Sequence, residues 1–138
     1  MTIIDANNLI LGRMATEAAK RALLGESIDI VNCERAVITG KRKYILDKYA
    51  ARRARGSNTR GPFTPRRPDM FVRRAIRGML PYKRGRGRDA FSRIKCHRGV
   101  PAHLADKAPV ALKGADISKL PTLKFITVQE ICRSMGVQ

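Results

Sequence analysis

The sequence predicts an α/β fold carrying a basic, proline- and glycine-rich arm. Three observations lead there: a strand, helix and strand in succession at the N-terminus, two strand-like runs further along, and a basic segment in the middle with too few apolar residues to form a core. At 138 residues the chain is most simply a single domain, residues 1–138, large enough to bury a modest core without disulfides or metals.

The first strand is "TIID", Thr2 to Asp5. After it Leu11, Met14, Ala15, Ala18, Ala19, Ala22 and Leu23 recur at helical spacing, and Gly25 stands where a helix would stop. "SIDIVN", Ser27 to Asn32, is a second strand, which a right-handed crossover would set parallel to the first. "RAVITG", Arg35 to Gly40, is a third.

From Lys41 to Arg55 the composition favours helix, with Ile45, Leu46 and Tyr49 able to face inward and Lys or Arg over much of the remainder. Residues 56–68, "GSNTRGPFTPRRP", hold three prolines and one bulky apolar group, Phe63, and form an extended arm. A helix follows Pro68, with Asp69 near its positive end. At about 100° per residue, Val72, Ala75, Ile76, Met79 and Leu80 share one face and Arg73, Arg74 and Arg77 the opposite one. Pro81 ends it.

The glycine-basic run "KRGRGR" comes next, then a short helical piece around Ala90 and Phe91, and a fourth strand at Arg93 to His97. Residues 99–124 have little periodicity and form an irregular wrap. "TVQE", Thr127 to Glu130, fits a capping box opening a last helix with Val128, Ile131, Cys132 and Met135 on one face. Met14, Ala18, Ile30, Ile38 and Ile76 are expected in the core, and Arg52, Arg53, Arg73 and Arg77 on the surface.

Charge narrows the function. The net charge is +18, and residues 41–98 contribute +17 of it, with twenty basic residues against Asp47, Asp69 and Asp89. Such a density repels itself unless a polyanion neutralises it. A membrane is a poor candidate for that partner: there is no long apolar span, no secretory signal and no basic amphipathic terminus with large apolar anchors. A cytosolic location is expected, which the three unpaired-looking cysteines, Cys33, Cys96 and Cys132, also suit. Nucleic acid is the better partner, because arginine offers planar contacts to phosphate and stacks on exposed bases.

Competing motifs are weaker. "GRGRDA", Gly85 to Ala90, matches a dinucleotide fingerprint, but Pro81 to Arg84 precede it where a strand should lead in. The glycines have a plainer use: they allow positive φ and a close approach of backbone to phosphate. "PRRP" fits a proline-motif ligand only because the arm is proline-rich. Cys96, His97 and His103 lack a fourth metal ligand. Asp5, Asp29 and Glu34 lie near strand ends, where capping and pairing explain them better than catalysis. No nucleophile with its base, carboxylate pair or phosphate loop is present, so no enzyme is expected.

Taken in order, "LILGRMATEAAKRALLGE", "VNCERAVITG", "RGPF" and "RGMLP" resemble the large-subunit ribosomal protein L-thirteen family over nearly the whole chain, the "GMLP" element with its basic glycine run being the most specific part. The middle is similar to archaeal and eukaryotic members. The chain stops soon after "RSMGV" without a long basic extension, which makes the archaeal branch nearest. Cys33 and Cys96 stand where commoner small or branched residues would be expected.

The resemblance implies a three-layer α/β/α fold with a four-stranded, mostly parallel sheet. It also implies binding to large-subunit ribosomal RNA, neighbouring large-subunit proteins as further partners, a role in early subunit assembly, and no cofactor or small-molecule substrate. The RNA-binding candidates are Lys41, Arg42, Lys48, Arg52, Arg53, Arg55, Arg60, Arg66, Arg67, Arg73, Arg74, Arg77, Lys83, Arg84, Arg86 and Arg88. An enzyme acting on free nucleic acid would instead need a carboxylate constellation that the sequence lacks.

Overall fold

A computed structural model describes residues 1–57, 59–112 and 114–137. The N-terminal unit forms as the periodicity predicts: β1 (Thr2–Asp5), α1 (Leu11–Leu23) and β2 (Ile28–Val31), with β1 and β2 parallel. Small side chains set the packing of α1. Ala15, Ala18, Ala19 and Ala22 are buried, and they let the helix lie close against its neighbours.

The chain continues through β3 (Val37–Thr39), α2 (Arg42–Ala54), α3 (Pro68–Met79), α4 (Gly85–Ser92), β4 (Ile94–Cys96), β5 (Phe125–Thr127) and α5 (Val128–Ser134). The expected four-stranded sheet is not what forms. The order β1-β2-β4 makes a three-stranded parallel sheet, and β3 pairs antiparallel with β5 in a separate two-stranded one. A short 3-10 turn at Cys33–Arg35, entered through Asn32 at a positive φ of 54°, carries the chain away from the end of β2. β3 meets the segment that follows β1 at a parallel bridge between Ile10 and Val37. The partner strand β5 lies in a run, "KFIT", that has no period of its own beyond three residues.

The layering is also only partly the expected one. Along β1 and β2 alternate side chains face opposite ways. Ile4, Ile28, Ile30 and Ile94 join the main core with Ala18 and Ala22 of α1 and Val72 and Ile76 of α3. The other face packs Ile3 and Val31 on Leu104, which belongs to the irregular wrap and its 3-10 turn at Ala102–Leu104. A wrap, rather than a helix, covers that side. Backbone bonding ties it down, with Val110 N–H donating to the Ile3 carbonyl at 2.7 Å.

Three expectations about side chains need correction. Met79 is exposed, and Phe71 takes its place beside Val72, Ile76 and Leu80 in the core. Ile38 is half-buried, because β3 is an edge of the small sheet. Arg73 and Arg77 are half-buried rather than exposed. The capping box at α5 is formed on one side: Thr127 Oγ1 accepts from Glu130 N–H at 3.3 Å, while the Glu130 carboxylate is taken by Arg42 of α2.

Candidate nucleic-acid interface

Helix α2 presents its basic residues because its apolar residues occupy only one narrow row. Ile45 is buried, Leu46 and Tyr49 pack against the core, and Lys41, Arg42, Lys48, Arg52 and Arg53 are exposed, as is Arg55 just past the helix end. Tyr49 is the hinge of the arrangement. Its ring lies 5.1 Å from that of Phe71 on α3, and the Arg52 guanidinium sits over the same Tyr49 ring, 5.3 Å from its centroid. Burial raises the Tyr49 hydroxyl's pKa, against the opposing charge of Arg52.

The arm leaves α2 and returns to α3 as a closed loop. Ser57 and Gly61 exchange backbone hydrogen bonds of 3.3 and 3.0 Å. Gly56, at φ +86°, allows this closure: a Cβ there would lie 1.9 Å from the Gly61 carbonyl oxygen. Arg60, Arg66 and Arg67 of the arm are exposed, and Phe63 projects beside them. Of the arm residues, Asn58 lies outside the described ones.

Helix α3 is amphipathic enough to fix its orientation, yet two of its arginines are not simply solvated. Arg73 stacks at 4.5 Å over the Phe91 ring of α4, and Arg77 at 4.9 Å over Tyr82 of the following turn. Stacking of this kind holds a guanidinium flat while leaving its edge free for acceptors. The third, Arg74, is exposed.

The glycine-basic run differs from its expected form. Gly85 to Ser92 is helical, and neither Gly85 nor Gly87 has a positive φ. Gly87 is buried against the end of α3, where Pro81 turns the chain. Lys83, Arg84, Arg86 and Arg88 are exposed on that turn and helix.

Two cavities collect parts of this surface on either side of Thr64 and Pro65. One, of about 450 Å³, brings Arg52, Arg55 and Arg74 together over Tyr49 and Phe71. The other, of about 380 Å³, joins Arg73, Arg74 and Arg77 with Phe63, Met70 and Phe91. Charge picks out the arginines in the sequence and does not pick out their apolar companions. A signal was available, since Phe63, Met70, Tyr82 and Phe91 are large apolar groups inside the most basic part of the chain. A few candidates are partly committed elsewhere: Arg42 pairs with Glu130, Arg67 donates to Asp69 at 2.8 Å, and Arg53 lies over Gly136 past the end of α5.

Away from this face the acids near strand ends are engaged within the fold. Asp5 accepts from Asn32 Nδ2 at 2.9 Å, Glu34 accepts from Gly99 N–H at 3.1 Å, and buried Asp29 accepts from His97 Nε2 at 2.9 Å. Among the described residues no group of three or more His, Cys, Asp or Glu is arranged to hold a metal, and no helix is long and apolar enough to cross a membrane.

The fold and its exposed side chains define an α/β protein that presents arginine and lysine from α2, the arm, α3 and α4, with aromatic rings under Arg52, Arg73 and Arg77. Sequence comparison gives the family. Residues 1–103 match the family described as Ribosomal protein L13. The chain is similar to proteins called large ribosomal subunit protein uL13: 51% identical to that of Methanosarcina barkeri, over 99% of this chain and 98% of its relative. The identity is 45% to that of Methanococcoides burtonii, over 99% and 98%, and 43% to that of Haloarcula marismortui, over 97% and 90%. The chain belongs to the ribosomal protein L13 family, which is not a family of enzymes.

Proposed function

We propose that this protein is a structural constituent of the large ribosomal subunit, that it binds large-subunit ribosomal RNA through the face formed by α2, the arm, α3 and α4, and that it acts early in subunit assembly. Residues 1–138 work as one domain in this reading, with neighbouring large-subunit proteins as further partners and the ribosome as its location. The observation that carries it is the state of the sixteen basic candidates. All but Arg73 and Arg77 are exposed, and the described ion pairs occupy only Arg42 and Arg67 among them. Exposed cations without acidic partners on a folded chain gain affinity for a polyanion by releasing the counterions condensed on that polyanion.

Sucrose-gradient sedimentation of the tagged protein is the direct test. Co-migration with large subunits and with their early precursors is expected. Recovery only at the top of the gradient, or only with mature subunits in the case of assembly, would sink the corresponding part.

A further inference from the structure

Most of the basic face suits the regular backbone of an RNA helix, but the cavity between the arm and α3 does not. Phe63 is 68% exposed and Met70 47% exposed, an apolar pair left in water among Arg73, Arg74 and Arg77. Phosphates offer such surface nothing. In an A-form duplex the bases are stacked inside and the deep groove is closed to side chains, so an exposed ring finds its use against an unpaired base.

The geometry supports that use. Phe63 is seated by the closed loop, its ring atoms 3.2 Å from where a Cβ of Gly61 would stand, and Gly61 is at φ +77°. Opposite it, Arg73 is already flattened over Phe91, and its Nε is buried without a hydrogen-bond partner. The cavity's volume, about 380 Å³, lies at the lower end of small-ligand sites, on the scale of one nucleotide. Its lining holds three arginines and no acid, a complement to phosphate rather than to another basic ribosomal protein.

We propose that this cavity seats one unpaired base of the bound RNA, stacked on Phe63, with Arg74 and Arg77 meeting the phosphates that flank it. The inference rests on the RNA-binding reading above and specifies what that RNA must contain: an unpaired nucleotide in a loop, bulge or junction.

The test compares two RNA probes with the full-length protein. One is a plain duplex, and the other is the same duplex interrupted by an unpaired loop that carries a fluorescent adenine analogue. Wild-type protein should bind the looped RNA more tightly and change the analogue's fluorescence by stacking on it. Phe63→Ala should weaken binding of the looped RNA by roughly 5- to 100-fold and abolish the fluorescence change, while leaving the duplex affinity in place. Met70→Ala, which removes the cavity's other exposed apolar wall from α3 rather than from the arm, should weaken the looped probe selectively too; it covers the case in which loss of Phe63 perturbs the arm. Equal affinities of both variants and wild type for the looped probe, or equal weakening on both probes, would overturn the base site and leave the apolar pair to a protein partner. Failure of wild-type protein to bind either RNA would overturn the underlying RNA-binding reading as well.

Discussion

A Cβ placed on Gly87 would come within 2.1 Å of the Pro81 carbonyl oxygen, so the first turns of α4 are packed directly on the backbone that ends α3. The glycine is there to let two backbones touch. Gly85, two residues earlier, faces open space and has no unusual φ.

The two glycines therefore should respond in opposite ways. Gly87→Ala forces the α3–α4 junction apart and should cost about 1 to 3 kcal/mol. Gly85→Ala should be neutral or stabilise by up to about 1 kcal/mol, as alanine does in an exposed helix. Denaturant unfolding of the two variants checks this, and equal losses would refute it.

Leu80 and the arginines beyond it should separate folding from binding. Leu80 is buried and Leu80→Ala should destabilise the protein by about 2 to 5 kcal/mol. Replacing exposed Arg84 and Arg86 by Ala should leave the melting temperature nearly unchanged. It should weaken RNA binding and flatten its salt dependence by roughly 0.7 to 0.9 log units of slope per lost phosphate contact. An unchanged slope would place both arginines outside the interface.

The arm should be the first part cut by protease. Gly56, Ser57, Thr59 and Pro62 are exposed, and Arg60 and Arg66 are exposed trypsin sites, whereas the bond after Arg67 is protected by the proline that follows it. Trypsin should cleave there in the free protein and more slowly when RNA is bound. Equal cleavage rates with and without RNA would show that RNA does not cover the arm.

Cys132 offers a pH test of the core. Burial pushes its thiol up to about 11 from an ordinary 9.0, with the Asp69 charge adding to the effect. A raised folded-state value means that the neutral thiol is favoured in the fold. Its contribution is complete below pH 9 and is lost as pH rises toward 11. The stability difference between the protein and Cys132→Ala should accordingly shrink across that window. A constant difference would show that the thiol does not titrate as described.

How much of this was legible beforehand depended on whether the cause was local. The α1 helix was, because its buried alanines repeat at helical spacing, and so was the start of α3, where Pro68 and Asp69 mark an N-terminus. Spacing gives the helical phase of α3 at Val72, Ile76 and Leu80. It fails at Met79, since spacing alone cannot choose between Met79 and Phe71 for the last place in the core. Phe71 wins through Tyr49, which approaches from α2.

By itself the sequence determined the parallel β1-α1-β2 unit, the helices that follow, and a basic face that has to stay in contact with solvent or a polyanion, because so many like charges cannot be buried together. Tertiary structure decided which strands pair: β3 finds β5 from a distant part of the chain, and no local pattern encodes a partner so remote. It also decided that Gly85 to Arg88 is helical, through the contact of Gly87 with Pro81, and that Arg73 and Arg77 lie on Phe91 and Tyr82 instead of in water. Periodicity reports which face of an element is apolar. What that face meets depends on contacts between segments far apart in sequence, and those exist only once the chain has folded.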